Sequence, residues 1–223
     1  MSKLAKMVRF GSMSILVVSM MNPVHAVTTQ AATASSMQKA SSPQDFMQQA
    51  TNELLQKIVE DRPQYKKNPE LLYQIVDSNI SPYVDFPLVA KRVMGQYYRQ
   101  ASDSQRQRFV VVFKNSLVRT YGNGLAAYDH QTINILPGRG PVSGTKASVQ
   151  MEIINSSGQS IPVTYELQRD GRGDWMLENV VLNGVNLGLT FRNQFASDME
   201  QYHNSIDQVI SHWVPDLPKV HQP

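Results

Sequence analysis

Residues 147–168 read ASVQMEIINSSGQSIPVTYELQ and contain two segments in which apolar and polar side chains alternate. From Ala147 to Ile154, and again from Ile161 to Gln168, every second residue is apolar, which is typical of strands with one buried and one solvated face. The connection Asn155-Ser-Ser-Gly158 has the residue types of a tight turn. The sequence therefore predicts an antiparallel hairpin at the centre of the fold.

Strand and turn patterns continue after this hairpin. Asp170-Gly-Arg-Gly173 is a second turn, and residues 175–182 form the next predicted strand. After Asn183-Gly184 the apolar residues recur with the period of a helix, which predicts one last helix that reaches Trp213.

Four helices are predicted before the strands. The first is expected to end at Pro63, the second before Pro82, and the third at about Tyr98. The four begin at residues that cap helices: Ser42, Asn68, Asp85 and Ser102. Helices thus flank a block of strands, an order that predicts an α+β fold with helices packed on one face of a curved antiparallel sheet.

The two ends of the chain differ in composition from the rest. Residues 1–26 combine a cationic start, an apolar run from Gly11 to Met21 and small residues at Val24 and Ala26, which is typical of a cleaved signal peptide. Residues 27–42 are rich in Ala, Ser, Thr and Gln and predict a flexible leader. Residues 215–223 contain three prolines and predict a loose tail, so residues 43–214 form a single predicted domain.

Charge and cysteine content exclude several classes of protein. The chain has 21 Lys and Arg against 18 Asp and Glu, and the excess comes from three cations in the predicted signal peptide. The neutral remainder has no basic stripe of the kind that binds nucleic acid. The absence of cysteine excludes disulfides, thiol catalysis and cysteine metal sites. The apolar run near the start is about half of the ~20 residues that span a bilayer, so we expect an exported, soluble protein.

The histidines and carboxylates of the sequence form few patterns that are typical of catalytic or metal sites. The histidines after residue 26 form no HExxH motif and no i, i+4 pair, so no metal site is predicted. Asp129-His130 follows the fourth helix and is either a dyad or a solvated pair. Glu178 shares the phase of Met176, Val180 and Leu182, which predicts either a functional carboxylate or a salt bridge at the rim of the sheet.

Several short segments occur in a fixed order between Ser42 and Trp213. They are Asn68-Pro69-Glu70-Leu71-Leu72, Pro82-Tyr83-Val84-Asp85, Gly95-Gln96-Tyr97-Tyr98-Arg99, Tyr121-Gly122, Trp175, Gly184-Val185-Asn186-Leu187 and Arg192-Asn193-Gln194-Phe195. In these segments the chain resembles the MlaC family, the periplasmic phospholipid carriers of the Mla system, also called the toluene-tolerance auxiliary component family. It departs from the family pattern at Glu178-Asn179, where an aromatic residue and Asp are usual, and at His203-Asn204-Ser205, where Gly is common.

The resemblance implies a fold and a function. The fold is a twisted sheet of the nuclear-transport-factor-like kind, with a helical layer closing over one face and an apolar cavity between that holds acyl chains while the headgroup faces water. The function is to shuttle phospholipid between outer- and inner-membrane complexes and so maintain outer-membrane lipid asymmetry. Implied partners are phospholipid, an inner-membrane ABC transporter complex with its MCE-domain protein, and an outer-membrane lipoprotein with porin. The resemblance implies no catalytic residues and no cofactor other than bound phospholipid as cargo.

The apolar faces of the predicted elements are consistent with such a carrier. A phospholipid with two tails has ~30 methylenes, and at ~0.8 kcal/mol each their exposure to water costs on the order of 25 kcal/mol. A soluble carrier must therefore offer a dry surface nearly equivalent to the membrane interior. The residues predicted to contact the tails are Val93, Tyr97, Phe109, Phe113, Leu117, Val149, Met151, Val163, Tyr165 and Phe195.

Two other functions are compatible with the residues alone. One is an isomerase or hydrolase of small apolar substrates on a similar cone-shaped fold, which would use Glu178 or Asp129 with a tyrosine and would need a raised carboxyl pKa. The other is a structural adaptor with a filled core. The adaptor differs from the other two in that the apolar faces of helices and sheet would meet, which a sequence does not show.

Overall fold

The computed structural model describes residues 42–128, 131–138, 140, 142 and 144–216. The helices are α1 (Pro43–Glu60), α2 (Arg62–Tyr65), α3 (Pro69–Ile80), α4 (Phe86–Met94), α5 (Asp103–Ala126), α6 (Leu187–Gln201) and α7 (Ile206–His212), with 3-10 turns at Ser81–Tyr83 and Gly95–Arg99. The strands are β1 (Thr132–Ile135), β2 (Lys146–Ile154), β3 (Ser160–Arg169), β4 (Trp175–Leu182) and β5 (Val185–Asn186). The predicted signal peptide and most of the predicted leader and tail lie outside the described residues.

The five strands form one antiparallel sheet in the order β1-β2-β3-β4-β5. The predicted hairpin is confirmed as β2 and β3, with Val149 opposite Tyr165 and Met151 opposite Val163. These four residues share one face of the sheet, which we call the inner face, because side chains alternate along each strand. The predicted α+β fold with a curved antiparallel sheet is thus confirmed.

Helices pack against the sheet, and α1 covers part of its inner face. Helix α1 contacts β1 and β2 and buries Phe46 and Met47 in one cluster with Val149, while α4 and α6 contact β4. Helix α5 packs against α3, α4 and α7. The helices before and after the strands in the sequence therefore come together over one sheet.

Each predicted capping residue accepts a hydrogen bond at the start of its helix. The acceptors are Ser42 from the Asp45 amide (3.1 Å), Asn68 from Glu70 (3.3 Å), Asp85 from Leu88 (2.9 Å) and Ser102 from Gln105 (3.2 Å). The Gln105 side chain in turn accepts from the Ser102 amide at 2.9 Å, which completes the predicted capping box. Local residue chemistry is sufficient to set these starts, since free amide groups at a helix start need an acceptor.

Two predicted helix ends are wrong. The third helix ends at Met94 and not at about Tyr98, because Gly95 has a positive φ of 55° and the chain continues as a 3-10 turn. The predicted last helix is two helices, α6 and α7, because His203 and Asn204 have positive φ angles of 52° and 63°. Ser205 then caps α7 by accepting a hydrogen bond from the Gln208 amide.

An ion pair between α3 and α5 predicts a dependence of stability on pH. Lys114 Nζ lies 2.9 Å from Asp77 Oδ1, and the Ser81 hydroxyl also donates to Asp77. Burial raises the pKa of Asp77, but the hydrogen bonds from Ser81 and Lys114 outweigh it and leave that pKa below its usual value. A carboxyl whose pKa is lowered by folding stabilises the fold above its unfolded pKa of about 3.9 and loses this effect as the pH falls.

We therefore expect the Asp77→Asn variant to be less stable than wild type at pH 7 by about 1 kcal/mol or less, since exposed pairs are weak. The difference in unfolding free energy between the two proteins should shrink as the pH falls toward 3. Urea unfolding at a series of pH values measures it. A difference that stays constant across this range would contradict the assignment.

Candidate functional site

The apolar interior of the described residues is divided into three clusters. The helical cluster joins α4, α5, α6 and α7 and includes Val93, Met94, Phe109, Phe113, Phe191, Phe195, Met199, Val209 and Trp213. The sheet cluster joins α1 to the inner face and contains Phe46, Met47, Tyr83, Val149, Leu167 and Trp175. The third cluster joins α1, α3 and α5 around Ile58 and Val76. The helical and sheet clusters are separate, although α1 packs on the inner face and Val180 of β4 contacts the helical cluster.

The helical cluster contains six of the ten residues predicted to contact acyl chains. Phe109, Phe113 and Phe195 are fully buried, and the rings of Phe109 and Phe195 lie 4.9 Å apart in an edge-to-face arrangement. Val93 is also buried in this cluster, whereas Tyr97 and Leu117 are partly exposed at its margin. The three phenylalanines pack against each other and against Trp213, as core residues do.

The other four predicted residues lie on the inner face of the sheet. Val149 is buried in the sheet cluster, and Tyr165 packs against that cluster while staying partly exposed. Met151 and Val163 are each 4% exposed and lie opposite each other on β2 and β3, yet they belong to none of the three clusters. They are buried apolar groups of the inner face, and their contact with acyl chains stays a prediction.

Two tyrosines share these apolar surroundings. Burial alone raises the pKa of Tyr165 to about 12, and burial likewise raises the pKa of Tyr121 on α5 to about 12. Both side chains nevertheless keep part of their surface accessible. A phenol that protein surrounds but that keeps accessible surface lies beside a space that protein atoms do not fill. The Tyr121 hydroxyl has no hydrogen-bond partner among the described residues.

The structure corrects the predicted phase of Glu178. The register of β3 and β4 shifts between Glu166 and Leu167, so that Glu166 pairs with Asn179 but Leu167 pairs with Leu177. Glu178 is therefore the extra residue of a β-bulge, and Met176 lies on the opposite face from Val180 and Leu182. A bulge depends on strand pairing, so the alternation within β4 does not predict it.

Glu178 forms the salt bridge that was one of its two predicted roles. Arg92 Nη2 on α4 lies 2.9 Å from Glu178 Oε2, and the Glu178 side chain is 7% exposed while that of Arg92 is 42% exposed. Oε2 accepts no well-directed hydrogen bond from the described residues, so the contact is mainly an attraction between charges. The carboxylate is the partner that depends on this pairing, because it has lost most of its water.

This asymmetry predicts unequal effects of the two single substitutions. The Arg92→Gln variant leaves a buried carboxylate without its cation and should lose about 2 kcal/mol, less than the 3–5 typical of a fully buried pair. The Glu178→Gln variant leaves Arg92 free to bind water and should lose about 1 kcal/mol or less. Urea unfolding at pH 7 measures both. Equal losses would show that Glu178 does not depend on Arg92.

A polar pocket of about 430 Å³ lies beside the helical cluster, between α4, β3, β4 and the start of α6. Its charged and amide groups are Arg92, Glu166, Glu178, Asn179, Asn186 and Arg192. A second recess of about 280 Å³ shares Glu178. Of the six charged and amide residues in the polar pocket, Glu178 alone was predicted from the sequence as a candidate functional residue. Glu166 was predicted to lie on a solvated face, although it is partly buried. Asn186 and Arg192 belong to the segments that resemble the MlaC family. This resemblance is the feature of the sequence that could have identified them as functional residues.

The remaining sequence predictions concern Asp129-His130, metal sites and membrane-spanning helices, and the described residues cover only part of them. Asp129 and His130 lie outside the described residues, so the structure does not test whether they form a dyad or a solvated pair. Among the residues that the structure describes, no group of three or more His, Asp or Glu side chains could hold a metal ion. No helix in the described part of the chain is both long and apolar enough to cross a membrane.

The fold and its interior define the class of this protein. It is an α+β protein in which helices cover an open antiparallel sheet, with apolar side chains on both facing layers. The chain belongs to the MlaC family, because the model of that family matches residues 48–214. The predicted family resemblance is thus confirmed.

Relatives of the chain agree with this assignment. It is 38% identical to the toluene tolerance protein ttg2D of Pseudomonas putida, over 82% of this chain and 85% of that protein. It is 28% identical to the intermembrane phospholipid transport system binding protein MlaC of Haemophilus influenzae, over 66% of this chain and 69% of the relative. A phospholipid-binding protein from Ralstonia solanacearum, solved in complex with a phospholipid, superposes with a TM-score of 0.68 at 26% identity and covers 74% of this chain and 90% of its own.

Proposed function

We propose that this protein is a periplasmic carrier that binds phospholipid acyl chains between its helical layer and the inner face of its sheet. It carries lipid between outer- and inner-membrane complexes and so maintains the lipid asymmetry of the outer membrane. Its partners are an inner-membrane ABC transporter complex with an MCE-domain protein and an outer-membrane lipoprotein with porin. It is not an enzyme, and its only small-molecule ligand is its phospholipid cargo.

One observation carries this proposal. Tyr165 lies on the inner face opposite Val149, and burial raises its pKa to about 12, yet part of its side chain stays accessible. An enclosed aromatic ring that keeps accessible surface on an apolar sheet face suits contact with a removable apolar ligand. The same surface does not distinguish tail lengths, because apolar contact is non-directional.

The relatives support the ligand class. The Haemophilus protein is named for intermembrane phospholipid transport, and the Ralstonia protein was solved with a phospholipid bound. The salt bridge of Glu178 with Arg92 favours a carrier over the isomerase or hydrolase alternative, because it engages the candidate carboxylate in a structural contact.

Native mass spectrometry of the protein, expressed with its export signal in a Gram-negative host and purified without detergent, tests the proposal. We expect a monomer peak displaced by the mass of phospholipid and the matching lipid in an organic extract. Protein exported in the same way and free of lipid in both measurements would contradict the proposal.

A further inference from the structure

Exposed cations without acidic partners surround the 3-10 turn Gly95–Arg99. Lys91 on α4, Arg99 at the end of the turn and Arg192 on α6 are exposed, and none of them forms an ion pair with the described part of the chain. The guanidinium of Arg192 lies over Gly95, where a Cβ atom would be 3.1 Å from Arg192 Nε. Cations from two helices and the turn between α4 and α5 therefore come together at one place.

The ring of Tyr98 brings a cation of α5 to the same turn. Lys91 Nζ lies 5.5 Å from the centre of this ring, and the guanidinium carbon of Arg106 lies 4.5 Å from it. Both are cation–π contacts, and Arg106 Nε also donates to the Tyr98 carbonyl oxygen at 2.9 Å. We call Lys91, Arg99, Arg106 and Arg192 the basic surface.

Carboxylates beside the basic surface are fewer than its cations. Arg106 pairs with Asp103 at 3.0 Å, and Arg92 of the adjoining polar pocket pairs with Glu178 at 2.9 Å. Glu166 is the other carboxylate of that pocket. With Arg92 included, five cations meet these three carboxylates, so this side of the molecule has a local excess of positive charge.

Two exposed aliphatic side chains adjoin the basic surface. Val185 and Leu189, before and after the start of α6, are 38% and 54% exposed. Leu189 lies one turn before Arg192 on α6, and both residues line the polar pocket. Proteins that bind at a membrane surface combine such aliphatic groups, which enter the acyl boundary, with cations that meet anionic headgroups.

We propose that the basic surface, together with Val185 and Leu189, binds the surface of a bilayer that contains anionic phospholipid such as phosphatidylglycerol. The inference goes beyond the proposed carrier function and does not require it. Arg99 and Arg192 favour a bilayer over an acidic protein, because no carboxylate fixes them and attraction to a charged bilayer needs no fixed geometry. The core of a protein interface, in contrast, is closely packed and poor in charge.

Vesicle flotation of the protein as purified tests the proposal. One set of vesicles is phosphatidylcholine alone, and the other contains phosphatidylcholine and phosphatidylglycerol in equal amounts. We expect at least about tenfold more protein to float with the anionic vesicles, because each cation near a charged bilayer contributes about fivefold. This binding should be lost at about 1 M salt, where the Debye length is about 3 Å. Equal flotation with both sets, or none with either, would overturn the proposal.

Paired substitutions locate the cations that bind the vesicles. The Arg99→Gln/Arg192→Gln variant should bind anionic vesicles about tenfold or more weakly than wild type. The Lys66→Gln/Lys67→Gln variant is the matched control, because it removes the same charge from exposed lysines beside α2. Arg62 of α2 donates to the Tyr128 carbonyl oxygen beyond the end of α5, whereas Arg106 is near the start of that helix. The control should equal wild type, and equal binding by all three proteins would overturn the assignment.

A second pair of variants tests the aliphatic part of the surface. Leu189→Ser should weaken binding to anionic vesicles by about threefold to tenfold, because it removes an apolar group from the membrane contact. Val111→Ser is the control, since Val111 is also 54% exposed but lies five residues after Arg106, about 140° around α5. Circular dichroism confirms folding. Equal binding by both variants would overturn the contribution of Leu189.

Two further results separate this proposal from its alternatives. Binding of polyglutamate that Arg99→Gln/Arg192→Gln weakens, without flotation on anionic vesicles, would assign the surface to an acidic protein and overturn the membrane site. Uptake of cargo from vesicles leaves the carrier in solution, so it does not mimic flotation. Lipid-loaded protein that never floats would contradict the membrane site alone, and floating protein free of bound lipid would contradict the carrier function alone.

Discussion

A Val163→Arg variant is expected to fold and to carry at least about tenfold less phospholipid than wild type after identical purification. Val163 is 4% exposed on the inner face and lies outside the packed clusters. An arginine at this position places a charge in the space proposed for the acyl chains, where transfer of a charge from water costs several kcal/mol.

A matched control distinguishes the effect of the position on bound phospholipid from the effect of the added charge. Gln150 is exposed on β2, next to Met151 but on the outer face, so Gln150→Arg adds the same charge outside the proposed space. We expect this variant to carry as much phospholipid as wild type. Phosphate analysis of organic extracts, with circular dichroism to confirm folding, measures both variants. A folded Val163→Arg protein that keeps its full lipid content would contradict the assignment of the inner face.

The Phe113→Ala variant is expected to lower stability by about 3–5 kcal/mol, because it removes a fully buried ring from the helical cluster. Phe113 packs against Phe109, Phe191 and Trp213, so its loss leaves a cavity between α5, α6 and α7. For a domain of this size the melting temperature should fall by roughly 10 °C. Calorimetry of delipidated protein measures the change without a contribution from bound ligand.

The control for the expected loss of stability in Phe113→Ala is a substitution on the same helix, α5. Val111 is 54% exposed, and Val111→Ala should change stability by about 0.5 kcal/mol or less. If Phe113→Ala leaves the stability of delipidated protein unchanged but removes lipid, Phe113 belongs to the ligand site and not to the core. The two variants, at residues 113 and 163, therefore test one predicted contact residue in the helical cluster and one on the inner face of the sheet.

Local chemistry made much of the fold predictable. Ser42, Asn68, Asp85 and Ser102 cap their helices as predicted because each cap involves only residues within one turn. The β2–β3 hairpin was predictable because alternation and a polar turn define both strands and their connection. These features depend on residues that are near each other in the sequence.

The features that were missed depend on distant residues or on unusual backbone. The bulge at Glu178 arises from pairing with β3, and the break at His203 and Asn204 uses left-handed angles that glycine would have indicated more clearly. The polar pocket draws Arg92, Asn179 and Arg192 from three elements, so no sequence spacing joins them. Apolar periodicity likewise predicted that Met151 and Val163 are buried but not which groups cover them.

The central claim is that acyl chains lie between the helices and the inner face of the sheet. Photocrosslinking tests it most directly, with a phosphatidylethanolamine that carries a diazirine near the end of one chain. Trypsin releases residues 147–169, which contain both central strands, as one peptide. We predict crosslinks within it at Met151, Val163 and Tyr165, whereas labelling confined to outward-facing residues such as Gln150, or spread over the exposed surface, would contradict the account.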